Sequence, residues 1–456
     1  MFRKETGSFS QRTILSLLLS CLLLYGCTPV SYSGDRLKEA IAKIAQEEYG
    51  IDQCDVKING TTLGVFLPLK QLFAMDFKEA LMSGKVTDME QLFQPTEEAI
   101  DKVEDMLFSM SRVMLSTDKK IEFYYLQATD VDKTGMELSF IGNLDDVKKV
   151  RFWDIPRSEY RKRVIHEIQL NRAVLWIRPA RQFFKNLSEK KADEIQETYF
   201  KNTEEAEWTK EFFFTDTQGN VTEKGRMRWE ILDIRGLPVQ DNEVMVYAKV
   251  RATPVNGEGP GEELEYLFQV SAEDSQEKIR RIIPMSDIDK VAQDSSISLT
   301  RDLVYKSLDR WEGEFKVPDI IMGDFLSKQL TRRIQYAVST DERIGHTFSG
   351  VKLLFKYESA APKHFSFYMT APLKSVLKQT YSPLAGVHED VIYLWELAAR
   401  EFMSVVHSYG FNDWDYLEFG LTQTAGYLWT ATREDLEKFR KHRVALQDIL
   451  ELTLQE

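Results

Sequence analysis

The sequence predicts an α+β protein in which two related halves, built of helix-strand-strand units, flank a β-rich antiparallel middle domain. Three observations lead there. Apolar residues at helical spacing are followed by two short strand-like runs, once clearly in each half and once more weakly in each. The order helix, strand, strand therefore recurs, and a lone two-stranded unit cannot bury its own face. Between the halves the pattern changes to long alternating stretches. At 456 residues the chain is too long for one core, and a length prior of roughly 150 residues per domain suggests about three.

In chain order, "DRLKEAIAKIAQEEYG" reads as a helix, with "CDVKIN" and "TTLGVFLPL" as its strands. The second unit has Ile100, Val103, Leu107, Met110 and Met114 on one helical stripe. The strand "KIEFYYLQATD", a turn at Gly135, the strand "MELSFIG" and the charged helix "NLDDVKKV" follow. A helix is expected over Glu189 to Phe200, and then antiparallel strands over Glu211 to Val270. Turns are expected at Gln218-Gly219-Asn220 and Gly236-Leu237-Pro238, where Gly and Pro punctuate the alternation. The Gly/Pro-rich run Thr253 to Glu263 reads as a hairpin loop; a strand rather than a helix follows it, and its three glutamates would repel phosphate. The C-terminal half repeats the plan. Ile320 to Val338 precedes "SGVKLLFKY" and "HFSFYMT"; the helix marked by Val391, Trp395, Ala398, Phe402, Val405 and Tyr409 precedes "DYLEFGLTQT", a turn at Gly426, "YLWTA" and the helix "REDLEKFRKH". Each half is expected to pack two helices on one antiparallel sheet. The expected boundaries are 35–187, 188–300 and 301–456.

The N-terminus carries Arg3, Lys4 and Arg12 ahead of an apolar run from Ile14 to Tyr25. That run is about half of the roughly 20 residues a spanning helix needs, which is a signal-peptide pattern. Leu24-Tyr25-Gly26-Cys27 resembles the lipobox of bacterial lipoproteins, with Tyr25 where that family has a smaller residue. The resemblance implies cleavage after residue 26, acylation of Cys27 and a polar tether over 27–34. A second match, Leu18-Leu19-Ser20-Cys21, would leave "LLLYG" exposed at the new start, so Cys27 is the better candidate. An unlipidated secretory peptide or an uncleaved anchor is the plain alternative. By the same resemblance, Thr28 after the modified cysteine implies a cell-envelope location, at the outer membrane facing the periplasm where the host has one.

The formal charge of -13 argues against nucleic acid, because neutralising phosphates needs a net basic face. Of the three cysteines only Cys54 remains once Cys21 is removed and Cys27 acylated, which leaves neither an internal disulfide nor a cysteine zinc site. Asp52 and Asp55 beside Cys54 suppress its thiolate, so it is expected to be structural.

The stretch "TDVDKTGMELSF" offers Asp130, Asp132, Thr134 and Gly135 in the spacing of half a calcium loop. The twelfth position is Ile141 instead of a bidentate Glu, and strands flank it where that loop needs helices. "DKTG" also resembles the phosphorylated Asp motif of P-type pumps, but Met136 follows. Since the C-terminal copy keeps only the glycine, the expected reading is a hairpin turn with Gly135 and Gly426 at positive φ. The six histidines form no zinc pair, and His388-Glu389-Asp390 reads as a helix cap. Serine elbows and phosphate-binding glycine motifs are missing from the sequence, so no cofactor, metal or catalytic residue is predicted. Arg157, Arg161, Lys162 and Arg163, with Arg172, Arg178, Arg181 and Lys185 beyond them, form a candidate patch for anionic lipid, cell-wall polymer or an acidic partner, set against the plainer reading of solvated helix and strand surface, which Glu159 and Glu167 favour. The aromatic helix near Trp395 fits core packing. The leading expectation is a non-enzymatic envelope lipoprotein acting as a binding or assembly module, attached to membrane by its anchor and meeting an envelope protein partner. The alternatives are a carrier of an apolar ligand such as a lipid, and an envelope hydrolase of glycan or peptide.

Overall fold

A computed structural model describes residues 32–51, 53–74, 93–189, 213, 227–240, 243–254, 261–273, 276–290, 299–372, 374, 387–421 and 427–454. The lipobox, the expected helix beyond residue 189, the stretch 214–226 and Gly426 lie outside them.

The N-terminal unit comprises α1 (Leu37–Tyr49), β1 (Asp55–Asn59), β2 (Thr62–Leu69), α2 (Glu97–Met114), β3 (Phe123–Asp130), β4 (Met136–Asn143), α3 (Leu144–Arg151), α4 (Arg157–Arg163) and β5 (Ile165–Leu170). Leu37, Ile41 and Ala45 recur every fourth residue and give α1 its buried stripe. Gly50, at φ +66°, ends the helix by donating to the carbonyls of Ala45 and Gln46. Thr96 caps α2 by accepting from the Ala99 N–H, and Val103, Met106, Met110 and Val113 face the sheet. Both helices cover one face of β1–β5, against Val65, Leu67, Tyr124 and Leu126.

The middle unit begins with α5 (Arg172–Glu189) and continues through β6 (Met227–Gln240), β7 (Glu243–Pro254), β8 (Glu262–Glu273), β9 (Gln276–Pro284), α6 (Arg301–Ser307) and β10 (Glu312–Gly313). Its sheet runs β10-β6-β7-β8-β9, antiparallel throughout. On one face α5 places Ile177, Ala180, Phe183 and Phe184 against Val246, Tyr266 and Phe268. On the other face Val304 and Trp311 pack on Met245, Tyr247 and Leu267. This unit therefore draws in residues on both sides of the expected 188–300 span. Gly236-Leu237-Pro238 also departs from expectation: the three lie within β6, paired to Val246, Met245 and Val244, and the pairing runs on to Gln240 opposite Glu243. A register shift beside Pro238 relieves the ladder of the missing N–H.

The C-terminal unit comprises α7 (Met322–Ser339), α8 (Glu342–Thr347), β11 (Lys352–Glu358), β12 (His364–Thr370), α9 (Glu389–Ser408), β13 (Tyr416–Leu421), β14 (Tyr427–Thr432), α10 (Arg433–Arg440) and β15 (Glu451–Leu454). Its sheet order, β11-β12-β13-β14-β15, mirrors β1-β2-β3-β4-β5. Neither end sheet is purely antiparallel as expected: β2 pairs with β3, and β12 with β13, in parallel. The cause is connectivity, because each second helix is a crossover that returns the chain to the same end of the sheet.

The two end units correspond residue by residue. The row Asn59–Thr62–Phe123–Asn143 in the first sheet matches Glu358–His364–Tyr416–Thr432 in the third. Asn143 and Thr432 each close their row and cap the next helix. The fifth strands, unforeseen in the sequence, pair alike: Ile141 opposes Ile165 and Thr430 opposes Glu451.

The end units stack through one core. Beyond α1 and α2, the far face of the first sheet presents Phe66, Phe123, Tyr125 and Ile141 to Phe315, Val317, Ile320 and to Phe325 of α7. Phe315 stacks on Phe66 at 5.5 Å between ring centroids. Asn59 Nδ2 donates to the Val317 carbonyl at 3.0 Å, and the Ile320 N–H donates to Thr62 Oγ1 at 3.2 Å. A Cβ on Gly64 would stand 2.2 Å from Val317 Cγ2, so this crossing needs a glycine. On its other side α7 joins α9 over Phe355, Phe365, Phe367 and Phe419 of the third sheet.

Candidate functional site

The turn between β3 and β4 is built as a turn. Asp130, buried, accepts the Lys133 N–H at 2.9 Å and the Thr134 hydroxyl at 3.1 Å, and its carbonyl accepts the Gly135 N–H. Gly135 sits at φ +67°, and Leu175 and the Asn171 carbonyl close in where a Cβ would point. The oxygens of Asp130 that would hold an ion point at its own loop. Among the described residues no group of three or more His, Cys, Asp or Glu side chains is placed to hold a metal ion. His388 caps α9, accepting the Asp390 N–H through Nδ1. Cys54 is half-buried, and burial, aided by Asp55, pushes its thiol up to about 11.

Several of the buried charges lie in two seams, while Asp390 and Glu418 are held within the C-terminal unit by Arg343 and Thr347 and by Tyr368. One lies between the end units. Arg163, buried rather than presented with its neighbours as a surface base, donates to Asp146 at 2.8 Å and to Glu159 at 3.0 Å. Tyr409 of the C-terminal unit donates to the other Asp146 oxygen, Gln329 of α7 donates to the Arg163 carbonyl at 2.9 Å, and Arg333 of α7 reaches Glu159 at 2.6 Å. Burial works against an ionised Glu159, but the guanidiniums of Arg163 and Arg333 outweigh it and hold the carboxyl below its usual range. Arg163 leaves the candidate patch because a charge this enclosed needs a carboxylate partner.

The second seam joins the first sheet to the middle unit. Arg181 of α5 clasps the buried Glu314 through two hydrogen bonds, and the Glu314 carbonyl accepts from Gln127 at 2.8 Å and Asn171 at 2.9 Å. Glu137 accepts from Gln169 and Asn171. Burial, the larger effect, raises its carboxyl above the ordinary range against those two bonds. Arg178 is also engaged, donating to the Lys133 carbonyl, so two of the outlying bases of the patch face protein.

What stays outside is divided between two helices, with Arg172 and Lys185 exposed on α5. Arg157, Arg161 and Lys162 are exposed on α4, as expected. Beside them the loop after α3 carries Phe152, 70% exposed, and Trp153, 84% exposed, the most exposed large apolar side chain among the described residues. The loop is a helix-ending hydrogen-bond pattern in which the Trp153 N–H reaches the Val150 carbonyl and the Asp154 N–H reaches that of Lys149 at 2.8 Å. The position wants glycine, yet Trp153 holds it at φ 64°. The equivalent residue after α10, His442, does the same at φ 55°. From Lys148 to Lys162 the chain carries six bases against two acids, Asp154 and Glu159. Sequence reasoning found the bases and missed the aromatic pair, although two adjacent rings off the helical stripe and inside a basic run were a usable signal.

Fold and site together define a tandem α+β protein whose described surface includes one basic, aromatic tip. No family model, curated protein or solved structure matches the chain. Among the described residues no helix is long and apolar enough to cross a membrane.

Proposed function

We propose that this chain is a non-enzymatic lipoprotein of the cell envelope, tethered through Cys27, that serves as a binding or assembly module. The observation that carries the reading is the use made of the buried carboxylates. Asp146 is held by Arg163 and Tyr409, Glu314 by Arg181, Glu137 by Gln169 and Asn171, and Asp390 by Arg343 and Thr347. Each fastens one part of the chain to another, which suits a rigid carrier of surfaces better than a reaction centre. The signal-peptide pattern and the lipobox resemblance support the location, and the matched topology of the end units supports descent from one duplicated unit.

The test is native mass spectrometry of the full-length protein, extracted in mild detergent from its own host's membranes. The expected species carries an acylated N-terminal cysteine together with the mass of a partner protein. A bare acylated chain with one small, releasable adduct would replace the module by a carrier, and a mass without acyl groups would remove the anchor.

A further inference from the structure

We infer that the Phe152–Trp153 loop, with Arg151, Arg157, Arg161 and Lys162 around it, is a docking element for an anionic lipid surface. The inference goes beyond the assembly reading, since it concerns how the folded body meets the bilayer and not what it assembles with. Three observations converge on it.

The first is exposure at a strained backbone. Of the described tryptophans, Trp311, Trp395, Trp414 and Trp429 are buried and Trp176 and Trp229 partly so, whereas Trp153 holds its indole in water from a left-handed position that disfavours any side chain. Packing does not explain why a tryptophan stands there, and such strain recurs where a residue contacts something outside the fold. An indole beside a phenyl ring suits the boundary between headgroups and acyl chains, one end apolar and the other hydrogen-bonding.

The second is charge complementarity. Arg151, Arg157, Arg161 and Lys162 are exposed, and none forms an ion pair among the described residues, while Lys148 is paired to Asp145 and Lys149 lies over the Tyr409 ring. Asp154 is the exposed acid inside the group. In a chain of net charge -13, a basic cluster with no ion pair among the described residues, close in sequence to two exposed aromatics, matches anionic headgroups over apolar chains.

The third is placement. The chain enters the described fold at Tyr32, which pairs with Thr117 just ahead of β3. Asn143, where α3 starts, pairs with Phe123, the first residue of β3. The entry point and the root of the helix that carries the tip therefore both lie toward the end of the first sheet at which β3 begins.

The experiment is hydrogen–deuterium exchange on the full-length protein reconstituted with phosphatidylcholine vesicles, with and without phosphatidylglycerol. Amides of residues 150–162 are expected to exchange several-fold more slowly with phosphatidylglycerol present. The double variant Phe152→Ser/Trp153→Gly is expected to lose that protection while α1, α2 and β3 exchange as before, which separates lost docking from lost fold. Arg157→Glu/Arg161→Glu is expected to abolish the dependence on phosphatidylglycerol. Equal exchange with and without the anionic lipid overturns the inference. So does protection that appears only when solubilised envelope proteins are added, which would assign the tip to a protein partner. Because exchange is read locally at the tip, either outcome leaves the anchored-module reading to stand or fall on its own mass measurement.

Discussion

Replacing Trp153 by glycine should make the protein more stable. A residue with a Cβ pays about 1–2 kcal/mol to sit in the left-handed region, a penalty that glycine escapes. Trp153 is 84% exposed, so little buried area is lost with the indole. Glycine's greater freedom in the unfolded chain takes back about 0.5–1 kcal/mol. The net expectation is a gain of about 0.5–1 kcal/mol for Trp153→Gly. Trp153→Ala keeps the Cβ and the strain and should fall within about 0.5 kcal/mol of the parent, as surface changes do. His442, the counterpart at φ 55°, provides an internal control: His442→Gly should gain as much, in the other unit. The assay is urea unfolding followed by exchange at amides of β3 and of β13, so that each unit is read separately. If the glycine and alanine variants at position 153 are equally stable, or both lose more than about 1 kcal/mol, the indole is packing and the strain argument fails. Loss of lipid protection together with gained stability would be the signature of a residue kept for contact rather than for folding.

Two further outcomes follow from the same geometry. Gly64→Ala drives a methyl group into Val317 and should cost about 1–3 kcal/mol by overpacking; Val317→Ala in the same chain should recover most of it, and a double variant as unstable as Gly64→Ala in thermal unfolding would show that the crossing is not the cause. Glu137 has its carboxyl raised by burial, so the folded state holds that proton more tightly than the unfolded chain does. Its contribution must therefore fall as pH rises from the unfolded value of about 4.3 through the folded one. Glu137→Gln should flatten that slope in urea midpoints measured from acid to neutral pH, and an unchanged slope would count against the assignment.

The helices and hairpins were legible because their cues are local. Asn143 and Thr432 cap the helices that the charged runs announced, and Gly135 stands at the positive φ its turn demanded. Even there the stripe of α2 is rotated: Ile100 is exposed and Met106 is fully buried, because the partner surface and not periodicity alone chooses the face. Non-local features stayed hidden. The edge strands β5 and β15 carry no alternation of their own strong enough to read, and exist through pairing with β4 and β14. The basic run beyond Arg163 conceals α5, whose Pro179 argues for a break that the surrounding core overrides. Arg163 and Arg157 look alike in sequence; only the approach of α7 and Tyr409 turns the first inward. The aromatic pair at 152–153 was in plain view, but its meaning depends on a backbone angle that no residue string displays.

The row-by-row match of the end units has one more consequence. The face of the first sheet that receives α7 offers Phe66, Phe123, Tyr125 and Ile141; the same positions on the third sheet hold Tyr368, Tyr416, Glu418 and Thr430. Such an arrangement is a two-member array with a terminator. Among the described residues helix pair, sheet, helix pair and sheet follow one another, and the last sheet sets hydroxyls and a carboxylate, with Tyr368 donating to Glu418 at 2.9 Å, where the first sets the apolar residues that receive α7. Restoring the four apolar residues would remove the terminator and leave an open-ended stacking surface, the route by which a tandem protein becomes a fibre.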